Sequence, residues 1–204
     1  SLRARGLAGV QLVVSDAHEG LKNAIAKVMA CPWQRCTVHF LRDMLGHVQK
    51  AQQQMVGAAI RQVFAAPSRS EASAILTDVV EKFQAAAPKV AGLLEAAEED
   101  LLAFMAFPKD HWSKLRSTNP LERVNREIGR RSDVIGIYPN DAALIRLASM
   151  LLLEKNDEWL VARRYLSQES IDQLYSEGRP CGPGDDVPPA LVGSAGRRRN
   201  STEV

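Results

Sequence analysis

The stretch Val10-Gln11-Leu12-Val13-Val14-Ser15-Asp16-Ala17-His18-Glu19-Gly20-Leu21 changes period in its middle, and the change decides the fold. Residues 10–15 are a short apolar run rich in β-branched side chains, the pattern of a buried strand. From there Leu21, Ala24, Ile25, Val28 and Met29 recur at helical spacing and predict a helix over 18–30, which Pro32 breaks. Trp33 to Phe40 is again rich in strand formers and reads as a second strand. Strand, helix and strand within so short a span are the signature of a parallel βαβ pair.

Beyond that unit the chain reads as helical from Leu41 to Met105. One helix is predicted through Leu41, Met44, Leu45, Val48, Met55, Val56, Ile60 and Val63, a second through Ala72, Ile75, Leu76, Val79 and Phe83, and a third through Leu93, Leu94, Leu101, Leu102 and Met105. Pro67 and Pro88 separate them. Asn119-Pro120 opens a further helix with Leu121, Val124 and Ile128 on its expected buried face, and Pro139-Asn140 opens another through Leu144, Leu147, Met150 and Leu151. Residues 178–204, crowded with Gly and Pro, read as a disordered tail.

A chain of 204 residues with 46% hydrophobic and 25% charged residues is ordinary for a globular protein. Its net charge of +2 is a weak pointer to nucleic acid, but the distribution says more. Arg116, Arg123, Arg126, Arg130 and Arg131 crowd one segment, while Glu95, Glu98, Glu99 and Asp100 crowd another. Three cysteines make no disulfide framework and suit a reducing cytoplasm. The apolar runs are too short to span a bilayer, so no membrane partner is expected.

Two carboxylates hold the chemical interest. Asp16 stands at the carboxyl end of a parallel strand, where α/β sheets bind ligands. Ser15 or Asp16 could equally cap the helix that follows. Glu122 lies in Ser117-Thr118-Asn119-Pro120-Leu121-Glu122, where Asn119 as N-cap, Pro120 as first helical residue and Glu122 three positions on would form a capping box. Taken alone, both patterns favour the capping roles.

The stretches around Asp16, Cys36-Thr37-Val38-His39-Phe40 and His111-Trp112-Ser113-Lys114-Leu115-Arg116 through Glu122 together resemble the catalytic region of Mutator-like bacterial insertion-sequence transposases, which use a DDE triad. The resemblance runs from about Arg5 to about Tyr175. It implies an α/β, mostly helical fold: a partial ribonuclease H-like sheet in 1–40, an all-helical insertion in 41–117, and the C-terminal helices of the ribonuclease H-like part in 118–177. It makes Asp16 the second Asp and Glu122 the Glu of the triad, both ligands of Mg²⁺ or, as a substitute, Mn²⁺. The implied activity is cleavage at element ends and strand transfer, with transposon-end DNA, target DNA and another protomer as partners.

Residues 1–15 leave no room for the strand that bears the first Asp, so the chain is expected to be truncated at its N-terminus and inactive alone. The alternative function is a catalytically dead remnant that binds DNA or pairs with a full-length transposase. Two strands of a larger sheet would also leave an unpaired edge and a bare face. The helical insertion is accordingly expected to be the best-ordered part.

Cys31, Cys36 and His39 invite a zinc reading, but a closed site needs a fourth ligand. Residues three apart in a strand also face opposite ways, which favours a buried structural pair. Cys36 and His39 match the CxxH motif of the resembled family, in a structural or site-supporting role. Trp112 is expected in the core, with stacking on a DNA base as a second role. Arg123, Arg126 and Arg130 stand at i, i+3 and i+7 on the Glu122 helix, flanked by Arg116 and Arg131. They form either a solvated, ion-paired face or a seat for DNA phosphates.

Overall fold

A computed structural model of the chain describes residues 2–161 and 166–176. Strands β1 (Val13–Ser15) and β2 (Trp33–Arg35) form a parallel pair with Val14 opposite Gln34, joined by helix α1 (Glu19–Val28). Helices α2 (Thr37–Gly46), α3 (Lys50–Ala65), α4 (Arg69–Ala86), α5 (Pro88–Ala96), α6 (Glu98–Leu102) and α7 (Lys109–Leu115) follow. Then come α8 (Asn119–Ile135), α9 (Asp141–Val161) and α10 (Gln168–Ser176). The described residues are thus mostly helical, with one small parallel sheet.

Several sequence expectations need correction. The second strand ends at Arg35, and the run through Phe40 belongs to α2, because Cys36 turns the chain and Thr37 begins the helix. The long helix expected over 41–63 is two, α2 and α3, broken at residues 47–49. The third predicted helix is likewise split into α5, α6 and a 3₁₀ turn over Ala103–Ala106. Periodicity cannot register such breaks when apolar residues continue on both sides. The tail over 178–204 lies outside the described residues.

The core sits in the helical insertion. Phe40, Met44, Val56, Ile60, Val63, Leu76, Leu94, Leu101 and Phe104 are essentially sealed from solvent and pack as one cluster. Burying such side chains contributes about 1.5–3 kcal/mol each. Good ends help: Ser68 caps α4 by accepting from the Glu71 N–H at 3.2 Å, and Pro88 occupies the first turn of α5.

The other half is bare. Ile25 is the only buried residue of α1, Leu151 the only one of α9, and α8 has none. Leu121, expected on a buried face of α8, is 61% exposed. Both faces of β1 stay half-open.

Besides the ion pair of Lys22 on α1 with Asp100 on α6, two hydrogen-bonded stitches join the halves. Gln34 on β2 is fully buried and lies against α6 and the 3₁₀ turn: its amide nitrogen donates to Leu101 O at 3.0 Å and to Arg35 O at 2.7 Å, and its oxygen accepts from Phe104 N at 2.8 Å. At the start of α2, the Thr37 N–H and hydroxyl both donate to Arg116 O, at 2.9 and 3.0 Å. The second stitch returns the chain from the insertion to the sheet and delivers Glu122.

Candidate active site

Asp16 follows β1 directly, and the Cys36 N–H bonds to Ser15 O at 2.9 Å, so the sheet itself sets Asp16 beside the start of α2. Its carboxylate does not cap α1. That role falls to His18, whose Nδ1 accepts from the Leu21 N–H at 3.1 Å. Neither does Glu122 close a capping box, because α8 begins one residue earlier than expected, with Thr118 as N-cap and Asn119 already helical. Glu122 Oε1 instead accepts from the Thr118 hydroxyl at 2.7 Å. Neither carboxylate therefore caps a helix through a backbone N–H, although Glu122 stays bonded to the side chain of the N-cap Thr118.

His39 brings them together. Its Nδ1 lies 2.6 Å from Asp16 Oδ1 and its Nε2 lies 3.7 Å from Glu122 Oε1, so one imidazole spans the two acids. Nδ1 is shut off from solvent and faces the oxygen without hydrogen-bond alignment. Burial pushes the His39 pKa down. The Cys36 contact and the charges of Asp16, Cys36 and Glu122 outweigh it, and the net direction is up.

Cys36 completes the group. Its thiol is buried and accepts from the Thr118 N–H at 3.5 Å and the Thr118 hydroxyl at 3.4 Å. Burial raises the thiol pKa, but those bonds and the nearby N–H groups of His39 and Val38 bring it below its ordinary value. The sequence argument that Cys36 and His39 face opposite ways fails, because they open a helix, where residues three apart share a face. Cys31, half-buried before β2, is not part of the cluster formed by Asp16, Cys36 and His39. Thr118 escaped the sequence reading. The only signal for it was its place beside Asn119-Pro120.

Trp112 stands apart from this cluster. It packs edge-on against Phe104, with ring centres 5.6 Å apart, and its Nε1 donates to Phe107 O at 2.7 Å. The arginines divide into two kinds. Arg130 grips Glu127 through two bonds of 3.0 and 2.7 Å and Arg131 adds a third at 3.0 Å, which holds the Glu127 carboxyl down at about 2. Arg116, Arg123 and Arg126 are exposed and enter none of the ion pairs among the described residues. Arg123, Arg126 and Arg130 line a cleft of about 500 Å³ between α8 and α9, with Lys155 and Trp159 on its far side. Neither α9 residue was anticipated, since nothing in the linear sequence places α9 against the arginine face.

The two carboxylates supply hard oxygen donors from separate elements on either side of the His39 ring, and the Asp16 side chain is 58% exposed, open to an ion that keeps its waters. Among the described residues, no helix is long and apolar enough to cross a membrane.

Comparison with known proteins shows the family of the chain. The family model described as Transposase, Mutator family, matches residues 1–162. Over 171 residues the chain is 43% identical to the transposase for insertion sequence element IS1081 of Mycobacterium tuberculosis, covering 83% of this chain and 41% of that protein. It is 42% identical over 170 residues to the transposase for insertion sequence element IS406 of Burkholderia multivorans, covering 82% of this chain and 44% of the relative. It is 34% identical over 172 residues to the transposase for insertion sequence element IS256 in transposon Tn4001 of Staphylococcus aureus, covering 81% of this chain and 43% of the relative. The chain thus spans less than half the length of these relatives. On a match that takes in Asp16, the Cys36–His39 pair and Glu122 alike, the chain belongs to the Mutator family of transposases.

Proposed function

We propose that this chain carries part of the catalytic region of a DDE-type insertion-sequence transposase, with a ribonuclease H-like sheet represented by β1 and β2. The observation that carries the reading is the convergence of Asp16, from the end of β1, and Glu122, from α8, on one imidazole. A cation held by both acids would offset their mutual repulsion. Asp16 and Glu122 would hold Mg²⁺ or Mn²⁺. When bound, that ion activates a water or a DNA 3′-hydroxyl and stabilises the leaving oxygen of an in-line displacement at phosphorus.

The chain's own residues do the rest. The Thr118 hydroxyl holds Glu122 Oε1, the oxygen that lies nearest His39 Nε2. His39 lies between the two acids and holds them in register, and their charges help to raise its pKa. Arg123 and Arg126, with Arg116 at the preceding turn, seat the DNA backbone by bidentate contact with phosphates. Arg130 and Arg131 act less directly, because Glu127 neutralises part of their charge. Trp112 stiffens the approach to α8, and base stacking by it would use the side of the ring turned from Phe104. The substrates are element ends and target DNA in the cytoplasm, and a second protomer would bring two ends together.

A second reading also has an observation behind it. Among the described residues only two carboxylates meet at His39, and a site of that kind binds a hard ion weakly. In that case the chain binds DNA, or pairs with another transposase, without catalysing.

The test is Mn²⁺ binding, followed by loss of the free-ion electron paramagnetic resonance signal, for the parent chain, Asp16→Asn and Glu122→Gln. Binding that falls at least ~tenfold in either variant supports the site. Binding unchanged in both rejects it. Strand transfer of preprocessed DNA ends, run in parallel, separates the catalytic reading from the binding-only one. Removing the charges of Arg123 and Arg126 together should weaken DNA affinity and lower the salt slope by roughly 2.

A further inference from the structure

The donor set at the site is not uniform. Mg²⁺ takes oxygen ligands, yet the cluster includes a buried thiol and an imidazole nitrogen that no DDE chemistry at two carboxylates needs. Ligand atoms of Asp16, Cys36 and His39 all lie within 4.8 Å of one another. A tetrahedral zinc ion with bonds of about 2.0–2.3 Å holds its ligands roughly 3.3–3.8 Å apart, so shifts of about an ångström suffice. The Asp16 carboxylate, the exposed member, can make that shift.

From this geometry we infer that Asp16, Cys36 and His39 form an open, labile site for a borderline or soft divalent cation of the zinc class, with water in the fourth position. Three features support it. The Cys36 sulfur sits at the N-cap of α2, where the aligned N–H groups of the helix favour a thiolate. The Thr118 N–H donates to that sulfur at 3.5 Å, and its hydroxyl, shared with Glu122, lies 3.4 Å away, which supplies the outer hydrogen bonding that orients a metal-binding thiolate. His39 Nδ1 is shut off from solvent and has no aligned hydrogen-bond partner, which leaves a ring nitrogen facing Asp16 with its bonding unmet. Three protein ligands with one open position are the form of exchangeable zinc sites, whereas closed structural sites use four.

This inference stands on its own geometry. One consequence alone rests on the proposed function: an ion held here occupies the Asp16 carboxylate, so zinc-class ions would antagonise Mg²⁺ and Mn²⁺ at the same residue.

Cd²⁺ is the probe, because a thiolate bound to it gives an ultraviolet charge-transfer band that carboxylates and imidazoles do not. Titration of the full chain should raise this band to one equivalent. Cys31→Ser and Cys181→Ser should keep it, Cys36→Ser should abolish it, and Asp16→Asn should weaken Cd²⁺ affinity at least ~tenfold while leaving the band reachable. Because Cys36 is buried, helical circular dichroism of Cys36→Ser must match the parent. If it does not, Asp16→Asn at its exposed position decides the matter. No band in the parent chain, a band that survives in folded Cys36→Ser, or unchanged affinity in Asp16→Asn would each overturn the proposal. The readout does not involve Mn²⁺ or DNA, so its failure is distinct from failure of the transposase reading.

Discussion

The helical insertion and the site-bearing half solve opposite problems. In the insertion, α3 to α6 and the 3₁₀ turn bury Ile60, Leu76, Leu94, Leu101 and Phe104 against one another, with Phe40 and Met44 of α2 in the same cluster. The chemistry lies outside α3 to α6, on Asp16 after β1, Cys36 and His39 at the start of α2 and Glu122 on α8, and α1, α8 and α9 leave Leu21, Val28, Leu121, Ile145, Leu152 and Leu153 open to solvent. Stability therefore resides in one region and function in the other, and the stitches at Gln34 and Thr37 are what let the first support the second. A site on the bare half is held by a few hydrogen bonds, where the insertion is held by an interlocked core.

The largest expected effect separates the halves by packing. Phe104→Ala should destabilise the chain by about 3–5 kcal/mol in denaturant unfolding, since it opens a cavity in a sealed cluster and removes the ring against which Trp112 rests. Leu121→Ala, on exposed α8, should change stability by no more than ~0.5 kcal/mol. Equal losses would mean that the two halves share one core.

Gln34→Ala breaks the joint itself. It leaves the Phe104 N–H and the Leu101 carbonyl buried without this partner, at roughly 2–4 kcal/mol. Two resolved unfolding transitions in this variant, against one in the parent, would show that the clip couples the regions.

Thr118→Val acts only on the bare side. Loss of its bonds to Cys36 and Glu122 should lower stability by about 1 kcal/mol and weaken Mn²⁺ binding. Thr118→Ser, which keeps the hydroxyl, should restore both. Weakened binding in Thr118→Ser as well would show that the hydroxyl is not what matters.

The smallest effect is in pH. His111, in the insertion, is 1% exposed, and burial with the Lys114 charge lowers its pKa below 6.5 against the opposing pull of Asp110. Its neutral form fits the fold, so stability is intact above about pH 6.5 and is lost as pH falls through the lower folded-state value. His39 has a pKa raised above 6.5, so its contribution is fully present below about 6.5 and is lost as pH rises through the higher folded-state value. His111→Gln should flatten the acid side of the stability profile, and His39→Gln the alkaline side. If the same variant flattened both sides, the two directions would be wrong.

Much of this was legible in the sequence because it depends on period. The βαβ unit, the helical stretch and the breaks at Pro67 and Pro88 follow from spacing and from residues that cannot continue a helix. The Asp16 and Glu122 assignments came from a family resemblance, since capping patterns explained both residues equally well. What escaped was tertiary. Gln34 looks like one more polar residue in a strand, and Thr118 like one more small residue before a helix. Only the packing of α6 and the 3₁₀ turn against β2 gives Gln34 its distant partners, and only the return of the chain beside α2 gives Thr118 its bonds to Cys36. The end of β2 at Arg35 was missed because Thr37, Val38 and Phe40 favour strands locally, while the packing of Phe40 and Met44 into the insertion core favours a helix.

The Thr118–Cys36 bonds join residues 82 positions apart. For a chain without structure between them, bringing such ends together costs roughly 4 kcal/mol in loop entropy before any constant term. A pre-folded insertion reduces that long search to the docking of two neighbouring ends. The expected order of assembly is that the helices condense first, the sheet clips on through Gln34, and the acids meet last. A nascent chain would therefore hold its reactive groups apart until most of its length had folded, so the insertion acts as a timing element as well as a spacer.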